Sequence, residues 1–175
     1  MPMNALILGG MSPRHHGWVR DVASSLRPHF DTVRYLDYRH WQTGETMDLE
    51  YEIAQSARIA EDLDEYVIVA KSIGTVAGTL ASYRGLLLPK RCVFMGFPLS
   101  GVEGEIPEVA DALPTLPRTT FVHNEFDKVG TSLAVHAYIE AHSPAEFDFR
   151  VVPGNDTHDY IDFELITKLA LASPS

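Results

Sequence analysis

The strongest constraint on the fold is an alternation, along the whole chain, of short apolar segments with segments of helical period. Between the apolar segments, hydrophobic residues recur at spacings of three and four, which is typical of helices that pack one face on a core. This alternation predicts an α/β fold with three layers, in which a doubly wound six-stranded parallel sheet is covered by helices on both faces. The six predicted strands are Ala5–Leu8, Thr32–Leu36, Tyr66–Ala70, Cys92–Phe97, Thr119–His123 and Phe147–Val152.

The predicted strands differ in polarity, and the difference indicates their places in the sheet. Tyr66–Ala70 is continuously apolar, as expected for a strand buried on both faces. Phe147–Val152 alternates apolar with charged residues, which indicates an edge strand exposed on one face.

Net charge restricts the partners of the chain. With 24 acidic and 14 basic residues, the formal net charge is −10. Such a balance repels phosphate groups, so we expect neither nucleic acid nor an anionic membrane surface as a partner. The charge says little about a small neutral molecule as substrate, and it leaves the oligomeric state open.

Length and apolar runs predict a single domain over residues 1–175 in the cytoplasm. A chain of 175 residues has the usual size of one domain, and no repeat or shift in composition divides it. The apolar run Ala5–Leu8 is too short for a signal peptide, and no run reaches the roughly 18 residues of a membrane span. The single cysteine, Cys92, lies in an apolar strand and is expected to be a buried, unreactive thiol.

The segment Ala70-Lys71-Ser72-Ile73-Gly74 has the pattern of a nucleophile elbow. In such an elbow a serine occupies a strained turn between strand and helix, and small residues are needed two positions away on each side. Ala70 and Gly74 meet that need. A serine that only caps the following helix is the competing interpretation.

An acid follows the fifth strand. Asp127 lies where a carboxylate can accept a hydrogen bond from a histidine Nδ1 and hold its tautomer. A simple turn or helix cap is the competing interpretation, because Asp127 also precedes a helix. Glu125 is the rival acid.

A histidine follows the sixth strand. His158 can act there as the general base, although a solvated loop histidine is an alternative. Sheets of this kind place their sites at the carboxyl ends of the strands, and Ser72, Asp127 and His158 each follow a different strand. Their chain order, serine, acid, histidine, predicts a catalytic triad.

These segments resemble those of the α/β-hydrolase superfamily, and within it the small hydrolases without a cap domain that are grouped near the dienelactone-hydrolase-like proteins. The matching stretches are A-K-S-I-G, H-N-E-F-D-K-V and G-N-D-T-H, and the resemblance extends from Leu6 to the last helix. It implies the strand order 2-1-3-4-5-6, a carboxylesterase-like activity with an acyl-enzyme on Ser72, and no cofactor. Two departures are the alanine at position 70 and the absence of the two extra N-terminal strands of larger members.

By the same resemblance, two backbone N–H groups should form an oxyanion hole. One belongs to Ile73, and the other to the loop after the first strand, where Gly9-Gly10-Met11 stands in place of the His-Gly-x of relatives. Met11 is the expected second donor, with Gly10 as the alternative.

One residue of this loop and three that follow it are expected to help bind the substrate. They are Gly10, Ser12, His15 and Trp18. The adjacent histidines His15 and His16 do not predict a metal site, because neighbouring side chains diverge and no further ligands complete a set of four.

Two other classes of function share this alternation of strands and helices. A nucleotide- or flavin-binding protein would need a glycine fingerprint after the first strand, and Gly9–Pro13 does not supply one. A non-catalytic binding protein that retains the hydrolase fold is the main alternative.

The segment Pro98–Arg118 is too short for a cap domain. Its prolines and glycines leave room for one short helix, around Glu108–Leu113. We therefore expect a preference for short acyl groups, because one short helix cannot cover a long chain.

Overall fold

The computed structural model describes residues 3–143 and 146–172, which contain a six-stranded parallel sheet with helices on both faces. The strands are β1 (Asn4–Leu8), β2 (Val33–Tyr35), β3 (Tyr66–Lys71), β4 (Arg91–Met95), β5 (Thr119–Asn124) and β6 (Phe147–Val152). The helices are α1 (His15–Leu26), α2 (Arg39–Thr43), α3 (Leu49–Ala60), α4 (Ile73–Tyr83), α5 (Leu99–Val102), α6 (Glu108–Ala112), α7 (Ser132–His142) and α8 (Phe163–Leu171). The strand order is 2-1-3-4-5-6, which confirms the predicted three-layer fold. None of the helices in the described ranges is long and apolar enough to cross a membrane.

The central strand β3 separates two apolar cores. All six of its side chains are buried, as its continuous hydrophobicity predicts. Ile68 and Ala70 face the core that is covered by α3, α4, α6 and α7. Val67 and Val69 face the core that is covered by α1 and α8. Because side chains alternate along a strand, Lys71, the last residue of β3, projects toward the α1 and α8 side.

The two edge strands are the more polar ones. β2 is only three residues long and has no fully buried residue. In β6, Asp148 and Arg150 are exposed, whereas Phe147 and Phe149 are half-buried against the core. The predicted edge position of the sixth strand is thus confirmed.

The connection from β4 to β5 differs from the expected single helix. The fourth strand ends at Met95, and the chain turns at Gly96, whose φ of +63° favours glycine. Two short helices, α5 and α6, then follow, with a 3₁₀ turn at Leu113–Thr115. The expectation of one helix was wrong because Leu99 and Val102 form a buried turn of their own.

Cys92 lies on β4 and is almost completely buried. Burial raises the pKa of its thiol well above the usual range, which keeps the sulfur protonated and unreactive. The prediction of a buried structural cysteine is confirmed.

Candidate active site

The predicted nucleophile, Ser72, lies in a strained turn between β3 and α4. Its φ of 53° and ψ of −123° make it the one non-glycine residue with positive φ among those described. Its N–H donates to the Met95 carbonyl over 2.9 Å, which fixes the turn to the end of β4. A Cβ at Gly74 would collide with the Leu8 carbonyl, so the small residue that the motif requires has a direct steric reason. These features match the nucleophile-elbow pattern.

The predicted acid and base are in contact with each other. Asp127 follows β5, His158 follows β6, and His158 Nδ1 lies 2.7 Å from Asp127 Oδ2. Asp127 also accepts hydrogen bonds from the Val129 N–H over 2.9 Å and from the Tyr160 hydroxyl over 2.7 Å. Burial alone would raise the pKa of Asp127, but these hydrogen bonds, with that from His158 the largest, hold the pKa below its usual range. The carboxylate is therefore ionised, and His158 must carry its proton on Nδ1.

The loop that carries His158 is fixed by residues that the sequence analysis did not single out. Asn124, at the end of β5, donates through Nδ2 to the carbonyls of Thr157 and Asp159, both at 2.9 Å, and so clamps the backbone on each side of His158. The Tyr160 hydroxyl accepts from the Asn124 N–H over 3.0 Å while it donates to Asp127. A polar residue at the end of a buried strand, as in the stretch H-N-E-F-D, is the signal that could have identified Asn124.

The rival acid has a different partner. Glu125 accepts a hydrogen bond from the Gly154 N–H over 2.7 Å, in the turn that follows β6. Its carboxylate therefore stabilises the turn and makes no ion pair with His158, whose carboxylate partner is Asp127.

His158 and Ser72 both lie near the end of β4. A Cβ at Gly96 would lie 2.9 Å from Cε1 of His158, so the imidazole lies directly over this glycine. The preceding residue, Met95, binds the Ser72 N–H. Within the described residues no hydrogen bond joins Ser72 to His158; the elbow and the Asp127–His158 pair lie on the same rim of the sheet.

Two carbonyl groups of the loop Gly9–Met11 have side-chain hydrogen-bond partners. Tyr38 donates to the carbonyl of its first residue over 2.8 Å, and His40 Nε2 and Trp41 Nε1 lie 2.6 Å and 3.1 Å from the carbonyl of its last. In the described part of the chain, the N–H groups of Gly10, Met11 and Ile73 have no hydrogen-bond partner. They are therefore free to bind an anionic oxygen.

The four predicted substrate-binding residues fall into two groups. Gly10 lies in the loop itself, and the half-buried Ser12 follows it directly. His15 and Trp18 are only 5% and 6% exposed, because they lie on the face of α1 that packs on the sheet. The indole N–H of Trp18 donates to the Tyr160 carbonyl over 2.7 Å. These two side chains therefore lie between α1 and the sheet and do not line the surface of the site.

The two adjacent histidines point to different partners. His16 Nε2 lies 2.9 Å from Asp37 at the surface. His15 Nε2 lies 2.9 Å from Nζ of Lys71, in the interior. The pair has the divergent geometry that neighbouring side chains impose.

Lys71 is the residue of the elbow that the sequence analysis left without a role. It is 2% exposed, and burial, together with the more distant Arg14, lowers the pKa of its ammonium to about 8 against the opposing effect of nearby Asp159 and Asp127. Burial, and then the charge of Lys71, lowers the pKa of His15 to about 4. At neutral pH the pair is thus a lysinium ion and a neutral histidine. A lysine at the end of an otherwise apolar strand is the signal that could have identified it.

No known protein-family profile and no curated protein matches this sequence. Solved structures do match it. An uncharacterised protein from Bacillus cereus superposes with a TM-score of 0.76 at 16% identity, over 97% of this chain and 58% of its own. This chain therefore spans little more than half the length of that protein.

Two further solved structures match along most of both chains. Mouse alpha/beta hydrolase domain-containing protein 10 has a TM-score of 0.72 at 11% identity, over 95% of this chain and 87% of its own. A serine hydrolase homologue from Coxiella burnetii has a TM-score of 0.71 at 15% identity, over 98% and 85%. The strand order and these likenesses together show that the chain has the fold of the α/β-hydrolase superfamily.

Proposed function

We propose that this protein is a serine hydrolase that cleaves a small ester or a related acyl substrate through an acyl-enzyme on Ser72. The observation that carries the proposal is the strained turn at Ser72 on the same rim of the sheet as the hydrogen-bonded pair of Asp127 and His158. Strained backbone conformations cost about 1–3 kcal/mol each and cluster at active sites. Here the strained residue, Ser72, carries its hydroxyl at the rim of the sheet.

In the proposed reaction, His158 Nε2 removes the proton from the Ser72 hydroxyl as the oxygen attacks the acyl carbon. The carbonyl oxygen becomes an oxyanion, which accepts hydrogen bonds from the Ile73 N–H and from the N–H of Met11 or Gly10. His158 then returns the proton to the leaving alcohol. Water, deprotonated by the same imidazole, then attacks the acyl carbon. The bond from this carbon to Ser72 Oγ breaks, and His158 returns the proton to Ser72 as the acid leaves.

Asp127 keeps its charge throughout the proposed reaction. It holds the Nδ1 proton of His158 and stabilises the imidazolium that forms. The Ser72–His158 hydrogen bond forms in this scheme as the substrate binds, since contacts between nucleophile and base are often long beforehand.

Short acyl groups fit the surroundings of the site best. The helices between β4 and β5 pack into the core through Leu99, Val102 and Val109, and so do not form a lid. Met11 is 51% exposed on the oxyanion loop. Each added methylene would therefore gain much less than the roughly 0.8 kcal/mol of full burial. Efficiency on p-nitrophenyl esters is expected to peak at about two to four carbons. A steady rise through eight carbons would show an enclosed pocket.

A fluorophosphonate probe tests the nucleophile directly. Intact-mass analysis should show one adduct on the wild type and none on Ser72→Ala, with turnover of p-nitrophenyl acetate lost in that variant. Ser24→Ala, at an exposed serine on α1, is the matched control and should be labelled like the wild type. Equal labelling of Ser72→Ala and the wild type would assign the adduct elsewhere. A correctly folded wild type that is neither labelled nor active would favour the non-catalytic binding protein.

A further inference from the structure

A buried cation lies next to the proposed nucleophile. Nζ of Lys71 is 2.9 Å from His15 Nε2 and 5.9 Å from the centre of the Trp18 ring. In the described ranges, no carboxylate lies within ion-pair distance of this ammonium. Burying a charge without a counter-ion is costly, and an apolar side chain of similar length would avoid the cost.

The partner of Lys71 leads to the oxyanion loop. His15 Nε2 accepts from the ammonium, so the neutral ring carries its proton on Nδ1. A Cβ at Gly10 would overlap Nδ1 of His15, which shows that the ring packs against the backbone of this loop. Nδ1 itself is buried and lies against the Gly10 backbone, where a hydrogen-bonding interaction favours the protonated ring and raises its pKa against the larger effect of burial. The ring thus connects the lysine to the peptide groups that would bind the oxyanion.

Other charges around Lys71 are more distant and come from each element that packs against it. Arg14, before α1, repels the ammonium. Asp159, after β6, and Asp127, after β5, attract it, and Arg14 is paired with Asp159 at 3.7 Å on the surface. None of these groups neutralises the ammonium by contact, so its positive field extends toward the rim.

We propose that Lys71 and His15 are a positioning pair for the reaction: His15 supports the Gly10–Met11 loop, and the charge of Lys71 stabilises the oxyanion that forms beside that loop. The proposal rests on the proposed serine-hydrolase function. Neither side chain touches the substrate in it, and no proton leaves the pair during turnover. Because the oxyanion exists only after the serine has attacked, the pair should raise kcat and leave KM unchanged.

The protonation state of the lysine gives this role a signature that a purely structural lysine lacks. The pKa of Lys71 is about 8, so kcat of the wild type should fall above about pH 8 as the charge is lost. Lys71→Met should lower kcat at pH 7 about 10-fold, with KM nearly unchanged and no further fall at alkaline pH. Lys71→Arg retains the charge at every pH used, so its kcat should exceed that of Lys71→Met and should not fall above pH 8.

Steady-state hydrolysis of p-nitrophenyl acetate between pH 6 and 10 measures these differences. Lys90→Met is the matched control, because Lys90 is an exposed lysine paired with Glu65 at the opposite end of the sheet, and its profile should follow the wild type. A folded Lys71→Met enzyme with the kcat and pH profile of the wild type would overturn the proposal. A wild-type kcat that stays level to pH 10 would also overturn it, even if the variants did not fold.

Labelling separates this proposal from the one on which it rests. Wild-type protein that reacts with the fluorophosphonate at Ser72, together with an unaffected Lys71→Met variant, would reject the positioning pair alone. Wild-type protein that is not labelled at Ser72 would reject both proposals.

Discussion

Two histidine pairs lie on the same rim of the sheet, and they are stabilised in opposite ways. His158 faces a carboxylate that accepts three hydrogen bonds, from His158, Val129 and Tyr160. His15 faces an ammonium that makes a single hydrogen bond, and its own Nδ1 lies against the Gly10 backbone. The first pair is thus electrostatically satisfied, whereas the second retains an uncompensated charge.

The difference means that the two pairs have opposite effects on the free energy of unfolding. Satisfied polar groups add to the free energy of unfolding, and each hydrogen bond to a charged group contributes about 1.5–3 kcal/mol. An uncompensated charge subtracts from the free energy of unfolding, so its retention has to be explained by something other than folding. Measuring both activity and stability in variants of each pair therefore distinguishes the two pairs.

The largest effect is expected from breaking the satisfied pair. His158→Ala removes the proposed base, and Asp127→Asn permits the wrong tautomer of His158, so each should lower kcat by about 10⁴-fold. The double variant should be little worse than either single one, because the two residues act as a unit. Steady-state kinetics on p-nitrophenyl acetate measures both effects, and additive losses would argue against a shared role.

The second effect concerns the uncompensated charge and appears in stability. The folded pKa of Lys71, about 8, lies below the value of about 10.5 in an unfolded chain, so between these pH values the unfolded state binds more protons. Wild-type stability should therefore gain up to about 3 kcal/mol from this group as pH rises from 8 to 10.5.

Urea unfolding of the wild type and of Lys71→Met at pH 7.5 and pH 10 measures that gain. The free energy of unfolding of the wild type, relative to that of Lys71→Met, should be higher at pH 10 than at pH 7.5. A difference that does not change with pH would mean that the ammonium is not destabilised by burial.

A smaller effect is expected at Tyr160. Tyr160→Phe leaves one hydrogen bond fewer on Asp127 and an unpaired N–H on Asn124, so it should cost about 1–3 kcal/mol of stability. Loss of the hydrogen bond should also raise the pKa of Asp127 from its lowered value. Thermal unfolding combined with kinetics measures both consequences. Loss of activity without loss of stability would show that the hydroxyl acts on the reaction directly.

The smallest effect is expected at Glu125, the control for the acid. Glu125→Gln keeps an oxygen that can accept from the Gly154 N–H, so stability should change by no more than about 0.5 kcal/mol. Activity should stay within about twofold of the wild type. If this change costs more activity than Asp127→Asn, Glu125 has the acid role.

Much of the fold follows from local patterns, and much of the site does not. The six strands, their order and the polar edges can be predicted, because hydrophobic period and the resemblance of three short motifs carry that information. The contact between Lys71 and His15 joins residues 56 positions apart, and no local pattern specifies it. Asn124 and Tyr160 were missed for the same reason: their partners are set by how the loops after β5 and β6 meet.

The hydrogen bond from Trp18 to the Tyr160 carbonyl spans 142 positions of the chain, and this span has a consequence for synthesis. Ribosomes release a chain from its N-terminus onward, at roughly 5–20 residues per second. The elbow at Ser72 therefore emerges several seconds before His158 and before Tyr160, whose carbonyl accepts the hydrogen bond from Trp18 of α1. During that interval the nascent chain carries the Ser72 hydroxyl without its proposed base, so the proposed hydrolysis requires that the two distant segments first come together.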